Sequence, residues 1–219
     1  MNIFIVIPAY QEEERIGDVI KDVARLKYPI IVVDDGSKDD TYKVSNRYKV
    51  TALRHKVNLG KGAAMKTGAE AAFKMGADAI VFMDSDGQHK AKDLNNFVEA
   101  LEKDKFDVVF GSRNLSHGVP FVRYIGNKFA SLLVSLLFGI YVSDLLCGFR
   151  GLSKKGFKKV YWESKGYGVE TEITARTAKY DLKHCDVPVE TVYYDEVKGV
   201  TILDAMSILF DVLRWRIKI

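Results

Sequence analysis

Short apolar segments alternate with segments of helical period along the first half of this chain, and several apolar segments end directly in polar or turn residues. The apolar segments lack strict alternation of apolar and polar residues, which is typical of parallel strands covered on both faces. We therefore predict an α/β fold with a mostly parallel central sheet and helices on both faces. The predicted strands are 2–7, 30–33, 50–53, 79–83 and 107–110, and the predicted helices are 12–26, 39–48, 61–75 and 92–103.

The second half of the chain is less regular. It contains no internal repeat, low-complexity segment or linker long enough to separate two domains. We expect one domain over 1–200 and a separate amphipathic helix over 201–219. Within this half the predicted helices are 129–138, 169–179 and 201–218, and the predicted strands are 148–152 and 186–194, the latter interrupted at Pro188.

Composition narrows the function classes. The 219 residues carry a net charge of +4, a mild basic bias that fits an anionic substrate or an anionic membrane surface. The sequence contains no dense block of Lys and Arg of the kind that indicates nucleic-acid binding. The two cysteines, Cys147 and Cys185, have no CxxC spacing, which favours a reducing compartment and no structural zinc. The N-terminus lacks the basic segment of a signal peptide, so we expect a cytoplasmic location.

Polar or turn clusters follow three of the predicted strands directly, namely Pro8-Ala9-Tyr10, Asp34-Asp35-Gly36 and Asp84-Ser85-Asp86. Ligands of open α/β sheets bind at the carboxyl ends of the strands, so these clusters are expected to meet at one edge. Two carboxylates one residue apart at a strand end suit Mg²⁺ or Mn²⁺, which prefer oxygen ligands and leave positions open for phosphates. An Asp-rich surface turn is the alternative for this last cluster.

Six segments appear in a fixed order: IPAYQEEERI, VVDDGSKDDT, NLGKGAA, DSDGQH, FGSRN and LLCGFRG. In this order they resemble glycosyltransferase family 2, the inverting nucleotide-sugar enzymes of the GT-A fold, and most of all its dolichyl-phosphate mannose and glucose synthases. The resemblance covers roughly Ile3 to Leu152. It implies transfer of a hexose from GDP-mannose or UDP-glucose to polyprenyl phosphate, with Mg²⁺ or Mn²⁺ as cofactor.

The resemblance also implies roles on the donor side. The nucleotide-sugar pocket would contain Pro8, Tyr10, Glu12, Asp34, Asp35, Lys61, Asp84, Ser85, Gln88, Arg150 and Lys198, and the metal ligands would be Asp84, Asp86 and Gln88. Glycines flanking Lys61 allow a close backbone approach to the phosphates. Two alternatives stay open: Asp34 as a cap or Asx-turn residue, and Lys61 as part of an ordinary helix-start turn.

The catalytic residues implied by the resemblance are Asp86, Arg113, Arg123, Asp144 and Glu170. The two arginines would bind the acceptor phosphate, because a guanidinium matches phosphate oxygens at two points. Asp144 would contact the donor sugar or act as a base. Glu170 is the other candidate base. Glu172 lies in the same region, and its alternative interpretation is an ordinary solvated carboxylate on the surface of a helix.

The need for a base depends on the acceptor. A phosphate monoester is already anionic near neutral pH, whereas a sugar hydroxyl must lose a proton as it attacks. A family 2 transferase acting on a glycan or glycolipid hydroxyl is therefore the alternative hypothesis. A nucleotidyltransferase is a weaker hypothesis, since the first strand is not followed by a Gly-rich phosphate loop. A non-catalytic nucleotide-binding module is also weaker, since it would have little reason to keep both Asp84 and Asp86 together with the arginines.

The C-terminal part suggests contact with a membrane surface. Lys198 and Gly199 stand where the family has a mobile basic loop over the donor. Along the last helix the polar residues form one narrow stripe, and Trp215 lies between two arginines, as at a bilayer interface. A core or dimer helix is the alternative. No segment reaches the roughly 18 apolar residues of a membrane span, so we expect a peripheral protein on the cytoplasmic face, with the oligomeric state left open.

Overall fold

The computed structural model describes residues 1–113, 121–191, 212 and 215, with side chains in 121–138 given from Asn127 onward. Its strands are β1 Ile3–Ala9, β2 Ile30–Asp34, β3 Thr51–Arg54, β4 Ala79–Phe82, β5 Val108–Arg113, β6 Arg150–Ser153 and β7 His184–Val189. Its α-helices are α1 Ile16–Ala24, α2 Thr41–Ser45, α3 Lys61–Lys74, α4 Leu94–Glu102, α5 Phe121–Phe138, α6 Lys154–Val160 and α7 Val169–Lys179, and a 3₁₀ turn covers Ala91–Asp93.

The strands form one seven-stranded sheet in the order β3-β2-β1-β4-β6-β5-β7. Strand β6 runs antiparallel to both of its neighbours, and the remaining pairs are parallel. The predicted α/β class with a mostly parallel sheet is confirmed. Because β1, β2 and β4 are adjacent and parallel, the chain segments that follow them emerge at the same edge.

Both faces of the sheet are covered by helices, as predicted. Along β1, Phe4 and Val6 belong to the core that includes α3 and α7, whereas Ile5 and Ile7 belong to the core that includes α1 and α4. Helix α3 packs very close to the sheet, and a Cβ on its Gly68 would lie 2.3 Å from Val6 Cγ1. The small residues of this helix therefore serve close packing, as the sequence indicated.

Helix α1 begins later than the predicted start at residue 12. The backbone N–H of Glu12 donates to Thr41 Oγ1 at 2.9 Å, while its carbonyl accepts a hydrogen bond from Ile16 N at 2.8 Å. The acidic segment after β1 is thus tied to the start of α2 and turns before the helix begins. This connection keeps Glu12 at the carboxyl edge of the sheet.

Helix α5 begins at Phe121, eight residues before the predicted start at 129, and two further departures from prediction lie in the second half. Helix α6 was not predicted, and it begins where Ser153 Oγ accepts a hydrogen bond from Gly156 N at 2.9 Å. A Cβ at Gly156 would lie 2.2 Å from the Asp107 carbonyl, so a residue that weakens the helical pattern is required by packing. Strand β7 covers His184–Val189, so it begins two residues before the predicted start at 186, and positions 192–194 of the predicted strand 186–194 lie outside the described residues. Pro188 fits because β7 is an edge strand.

The C-terminal expectations fall largely outside the described residues. Lys198 and most of the predicted helix 201–219 lie there, as does the expected polar stripe on that helix. Val212 and Trp215 are described and are both buried, as the packed alternative requires of these two positions. Among the described residues, no helix combines the length and apolar character needed to cross a membrane.

Candidate active site

An ion cluster centred on Lys61 lies at the carboxyl edge of the sheet. Lys61 begins α3, and its Nζ lies 2.7 Å from Asp84 Oδ1, just after β4, and 2.9 Å from Glu170 Oε1 in the first turn of α7. Glu170 is only 3% exposed. The fold thus brings together three predicted site residues from separate parts of the chain.

The electrostatics of this cluster are dominated by its opposite charges. Burial disfavours the ammonium of Lys61, but Asp84 and Glu170 outweigh that effect and raise its pKa. Burial likewise opposes ionisation of Asp84, yet Lys61 and His89 hold the pKa of that carboxyl well below its usual range. His89 Nε2 lies 3.5 Å from Asp84 Oδ2. Lys61 and Asp84 are therefore both charged near neutral pH.

Gly148 provides the space in which this cluster sits. A Cβ at this position would lie 2.3 Å from Asp84 Oδ2 and 2.7 Å from Lys61 Nζ. Any side chain here would displace the carboxylate or the ammonium. The glycine of the LLCGFRG segment therefore contributes to the site by leaving room for the Asp84 carboxylate and the Lys61 ammonium.

The residues after β4 fit a divalent cation by their chemistry. Burial, followed by the nearby charge of Asp84, raises the pKa of Asp86, so the two carboxylates repel each other. Asp86 Oδ1 accepts a hydrogen bond from the backbone N–H of Gln88 at 2.9 Å, and Ser85 between the aspartates is buried. A divalent cation would relieve this repulsion, and carboxylate and carboxamide oxygens are ligands suited to Mg²⁺ and Mn²⁺.

Within the described part of the chain, no three His, Cys, Asp or Glu side chains converge into a ready-made metal centre. Asp84, Asp86 and the Gln88 carboxamide are the side chains that could hold a cation together with phosphate or water oxygens. This is the open type of site in which Mg²⁺ commonly meets substrate phosphates.

Asp34, at the end of β2, is fully buried. Its Oδ1 accepts a hydrogen bond from Ser37 N at 3.1 Å, as the turn alternative predicts. Arg54 Nε lies 3.0 Å from Oδ2, but this ion pair lacks hydrogen-bond geometry, and among the described residues Oδ2 has no hydrogen-bond partner. The Asp34 carboxylate thus serves the turn and pairs with Arg54, and its predicted contact with a nucleotide base stays a prediction.

The other predicted pocket residues near the first strand lie at the same edge. Pro8 pairs in register with Val33, one residue before Asp34. Tyr10 is 40% exposed, whereas Glu12 is buried and lies 3.4 Å from Arg15 Nη1. Their contact with a nucleotide base stays a prediction.

Asp35 differs from the expectation of direct nucleotide contact. Its Oδ1 accepts hydrogen bonds from Leu59 N at 2.9 Å and from His55 Nδ1 at 2.7 Å, and its Oδ2 accepts one from Gly60 N at 2.7 Å. The side chain is almost completely buried. Asp35 therefore holds the segment that leads into Lys61 instead of facing a ligand.

A second ion pair joins Arg113, the last residue of β5, to Asp144. Arg113 Nε lies 2.6 Å from Asp144 Oδ2, and Nη2 lies 3.0 Å from Oδ1. Asn127 on α5 donates to Oδ1 at 2.8 Å, a contact that the sequence did not indicate. Asp144 is 1% exposed, so its carboxylate orients Arg113. Arg123 lies in α5, and its side chain is outside the described residues.

Arg150 also differs from its predicted role at the donor. It has no exposed surface, and its guanidinium donates to the carbonyls of Leu145 at 2.6 Å and Cys147 at 3.1 Å and to Thr174 Oγ1 at 3.2 Å. The group also lies 4.9 Å from the ring centroid of Phe110. Arg150 shapes the backbone between Asp144 and Gly148 from inside the protein.

Glu172 is buried, so its solvated alternative is wrong. Its carboxylate accepts hydrogen bonds from Glu163 N at 2.9 Å, from Ser164 N at 2.7 Å and from Arg176 Nε at 2.7 Å. The segment it holds presses its carbonyls against the start of α3, where a Cβ on Gly62 would lie 2.2 Å from Ser164 O. The sequence shows only that Glu172 is a second acidic residue close to Glu170, and it gives no sign that Glu172 holds a backbone segment.

Comparison with known proteins agrees with this geometry. The sequence profile of glycosyl transferase family 2 matches residues 4–161. The chain belongs to glycosyl transferase family 2. It is 32% identical to the UDP-N-acetylglucosamine–dolichyl-phosphate N-acetylglucosaminyltransferase of Methanococcus voltae, over 96% of this chain and 94% of that protein. It is 27% identical to the dolichol-phosphate mannosyltransferase of Pyrococcus furiosus, over 98% of this chain and 64% of that protein.

The fold of family 2 is also that of solved glycosyltransferases. Glucosyl-3-phosphoglycerate synthase from Mycobacterium tuberculosis, in complex with Mn²⁺, UDP and phosphoglyceric acid, superposes with a TM-score of 0.78 at 20% identity, covering 98% of this chain and 78% of that chain. The predicted GT-A fold is confirmed, and the protein is a glycosyltransferase. The Lys61 cluster, Asp86 and Asp34 lie at the carboxyl edge of the strands, where open α/β sheets bind their ligands.

Proposed function

We propose that this enzyme transfers a sugar from a nucleotide diphosphate sugar to the phosphate of a polyprenyl phosphate, with inversion at the anomeric carbon. The observation that carries the proposal is the state of the two candidate bases. Glu170 is paired with Lys61 and Asp144 with Arg113, each through contacts of 3.0 Å or less. Both carboxylates are therefore committed to stabilising cations.

An acceptor that brings its own negative charge matches such a site. A carboxylate oxygen already in contact with an ammonium or a guanidinium would have to give up that contact to take a proton from an acceptor. A sugar hydroxyl would need a base to attack, whereas a phosphate monoester oxygen attacks without one. The pairing thus favours the phosphate acceptor over the hydroxyl acceptor.

The surroundings of Arg113 suit a lipid attached to that phosphate. Asn127 links the Arg113–Asp144 pair to α5, and farther along this helix Phe129, Leu132 and Leu136 are 61%, 54% and 77% exposed. Their spacing places them on one side of the helix. The stripe lies on the side of α5 turned away from Asn127, so the helix that contacts the Arg113–Asp144 pair also presents an apolar surface outward. Such a surface supports peripheral contact with the cytoplasmic face of a membrane, where an acceptor with an anionic head and an apolar chain would be met.

The names of the relatives support the same acceptor class and leave the sugar open. Dolichyl or undecaprenyl phosphate appears in the names of the transferases from Methanococcus voltae and Micrococcus luteus, the latter a mannosyltransferase 28% identical over 88% of this chain and 84% of that protein. Mannose, glucose and N-acetylglucosamine are therefore the sugars to compare.

In the proposed reaction, Asp84, Asp86 and Gln88 would hold Mg²⁺ or Mn²⁺, which neutralises charge on the departing nucleoside diphosphate. Lys61 adds a positive charge at the same edge. Arg113 positions the acceptor phosphate so that its oxygen approaches the anomeric carbon opposite the bond to the diphosphate. A single displacement of this kind forms the new glycosyl phosphate bond as the old one breaks, and it inverts the anomeric configuration.

The test supplies the purified protein with Mn²⁺, polyprenyl phosphate and, in separate reactions, GDP-mannose, UDP-glucose and UDP-N-acetylglucosamine. Lipid-linked sugar is the readout. We expect product from one donor, its loss in Asp86→Ala and in Arg113→Ala, and full activity in Asp18→Ala. Asp18 is a suitable control because its side chain is 80% exposed on α1.

Absence of lipid product with every donor, together with metal-dependent binding of a nucleotide sugar, would contradict the proposal and favour a hydroxyl acceptor. Glycan and glycolipid acceptors would then be compared in Glu170→Gln and Asp144→Asn.

A further inference from the structure

His55 connects three elements beneath the Lys61 turn. Its ring lies just after β3 and is 12% exposed. Nδ1 lies 2.7 Å from Asp35 Oδ1, after β2, and Nε2 lies 2.9 Å from Thr67 Oγ1, in α3. One imidazole therefore ties the carboxyl end of β2 to the helix that carries Lys61.

Asp35, which His55 holds in place, binds the backbone directly before Lys61. Its two oxygens accept the N–H groups of Leu59 and Gly60, at 2.9 and 2.7 Å. Gly60 has a φ of +95°, a conformation that L side chains rarely adopt. The direction in which Lys61 leaves the turn thus depends on where the Asp35 carboxylate is held.

The Gly60–Lys61 turn is also packed tightly on the side that faces Lys165. A Cβ at Gly60 would lie 2.5 Å from the Lys165 carbonyl, which also accepts a hydrogen bond from Ala63 N at 3.1 Å. The segment containing Lys165 is held in turn by Glu172 through Ser164 N. Asp35 and the segment containing Lys165 therefore fix the backbone at the start of α3 from two sides.

We propose that His55 is a positioning residue for the donor diphosphate: through Asp35 it fixes the Gly60–Lys61 turn and thereby places the Lys61 ammonium between Asp84 and Glu170. The diphosphate as ligand rests on the proposed function, whereas the placement of Lys61 does not. Because the Thr67 hydroxyl can donate or accept, the ring keeps both contacts whether neutral or protonated.

Two substitutions separate the two contacts of the ring. In His55→Asn the side-chain amide nitrogen takes the place of Nδ1 and retains the donor to Asp35. In His55→Gln the amide reaches toward Thr67 and the donor to Asp35 is lost. Asp107→Asn is the control for general destabilisation, because Asp107 accepts a hydrogen bond from Lys155 Nζ at 2.8 Å just before β5, at the opposite edge of the sheet.

The first readout needs no substrate. Acetic anhydride labels lysines, and mass spectrometry compares Lys61 with Lys92, whose side chain is 62% exposed and serves as internal standard. Relative to Lys92, we expect labelling of Lys61 to rise about tenfold in His55→Gln, the order of effect of losing a hydrogen bond to a charged group. It should stay near the wild-type level in His55→Asn and in Asp107→Asn.

The second readout is steady-state kinetics with the donor found active. We expect the donor KM to rise about tenfold in His55→Gln with the acceptor KM unchanged, and His55→Asn to recover most of the loss. Unchanged labelling of Lys61 in His55→Gln, or equal effects in the Gln and Asn variants, would overturn the proposal. If lipid-phosphate transfer itself fails, the labelling experiment still decides the role of His55.

Discussion

The Lys61 cluster and the Arg113–Asp144 pair are built differently, although the side chains of both cations are 20% exposed. Lys61 lies between two carboxylates from different elements, with a third, Asp86, close to one of them. Arg113 instead meets the buried carboxylate of Asp144 at two points. The first region therefore concentrates negative charge around one cation, whereas the second fixes the orientation of one.

This difference matches two chemical tasks. An ammonium is a compact point charge, and a surplus of carboxylates around it suits a site that also takes a divalent cation. A guanidinium is planar and donates two parallel hydrogen bonds, so its binding of an anion depends on its orientation. We infer that the Lys61 region handles the donor diphosphate and that the Arg113 region handles the acceptor phosphate.

Asp84→Asn should cause the largest loss and would break the donor side of the comparison. The change removes a predicted metal ligand and one of the two charges that hold Lys61, so transfer should fall by about 10³-fold, equivalent to several kcal/mol of charge stabilisation. Initial rates at saturating Mn²⁺ measure it. Activity within threefold of wild type would remove Asp84 from the metal site.

Arg113→Lys tests whether direction matters on the acceptor side. Lysine keeps the charge but cannot form the fork, so kcat/KM for polyprenyl phosphate should fall by about 10- to 100-fold while the donor KM stays unchanged. Acceptor and donor titrations of the variant measure the two constants. An equal rise in both KM values would show that Arg113 does not belong to an acceptor site.

Glu170→Gln sharpens the distinction between a counter-ion and a base. A counter-ion to Lys61 is partly replaced by Asp84, which stays in contact, so we expect a loss of only about tenfold, the effect of one charged hydrogen bond. The pH dependence of kcat should keep its shape. A loss beyond about 10³-fold, with the acidic limb of the profile altered, would identify Glu170 as a general base, because a base is inactive when protonated.

Glu172→Gln should affect stability more than catalysis. Burial raises the pKa of Glu172, but hydrogen bonds from Ser164 and Glu163 and the contact with Arg176 outweigh it, so the folded-state pKa is lowered from 4.5. A lowered pKa adds stability above the unfolded-state value, and this stability is lost as the pH falls through the folded-state value.

The variant should therefore lose about 1 to 3 kcal/mol of unfolding free energy at pH 7, and its difference from wild type should shrink below about pH 4. Urea unfolding at both pH values measures this. Lys92→Ala removes an exposed pair with Glu190 and should leave the midpoint unchanged. A difference that persists in acid would mean that the Glu172 charge is not what stabilises the segment.

Features encoded locally were the ones that the sequence could predict. Asp34 and the Asp84-Ser85-Asp86 cluster directly follow apolar strands, and parallel strands bring their carboxyl ends together regardless of detail. The direction of a side chain at such an edge is not local. Asp35 and Arg150 occupy expected positions, yet both face their own chain, because neighbouring backbone N–H and carbonyl groups needed partners there.

The sequence by itself determined the α/β class, the edge at which the site forms and the family, since periodicity, strand-end residues and motif order are properties of the linear chain. Only the tertiary structure decided which carboxylates serve cations and which hold backbone. Asn127 meets Asp144, His55 meets Asp35, and Glu172 meets Ser164 only after folding. The physical reason is that hydrogen-bond partners are chosen by distance in space, and burial makes each unsatisfied choice costly.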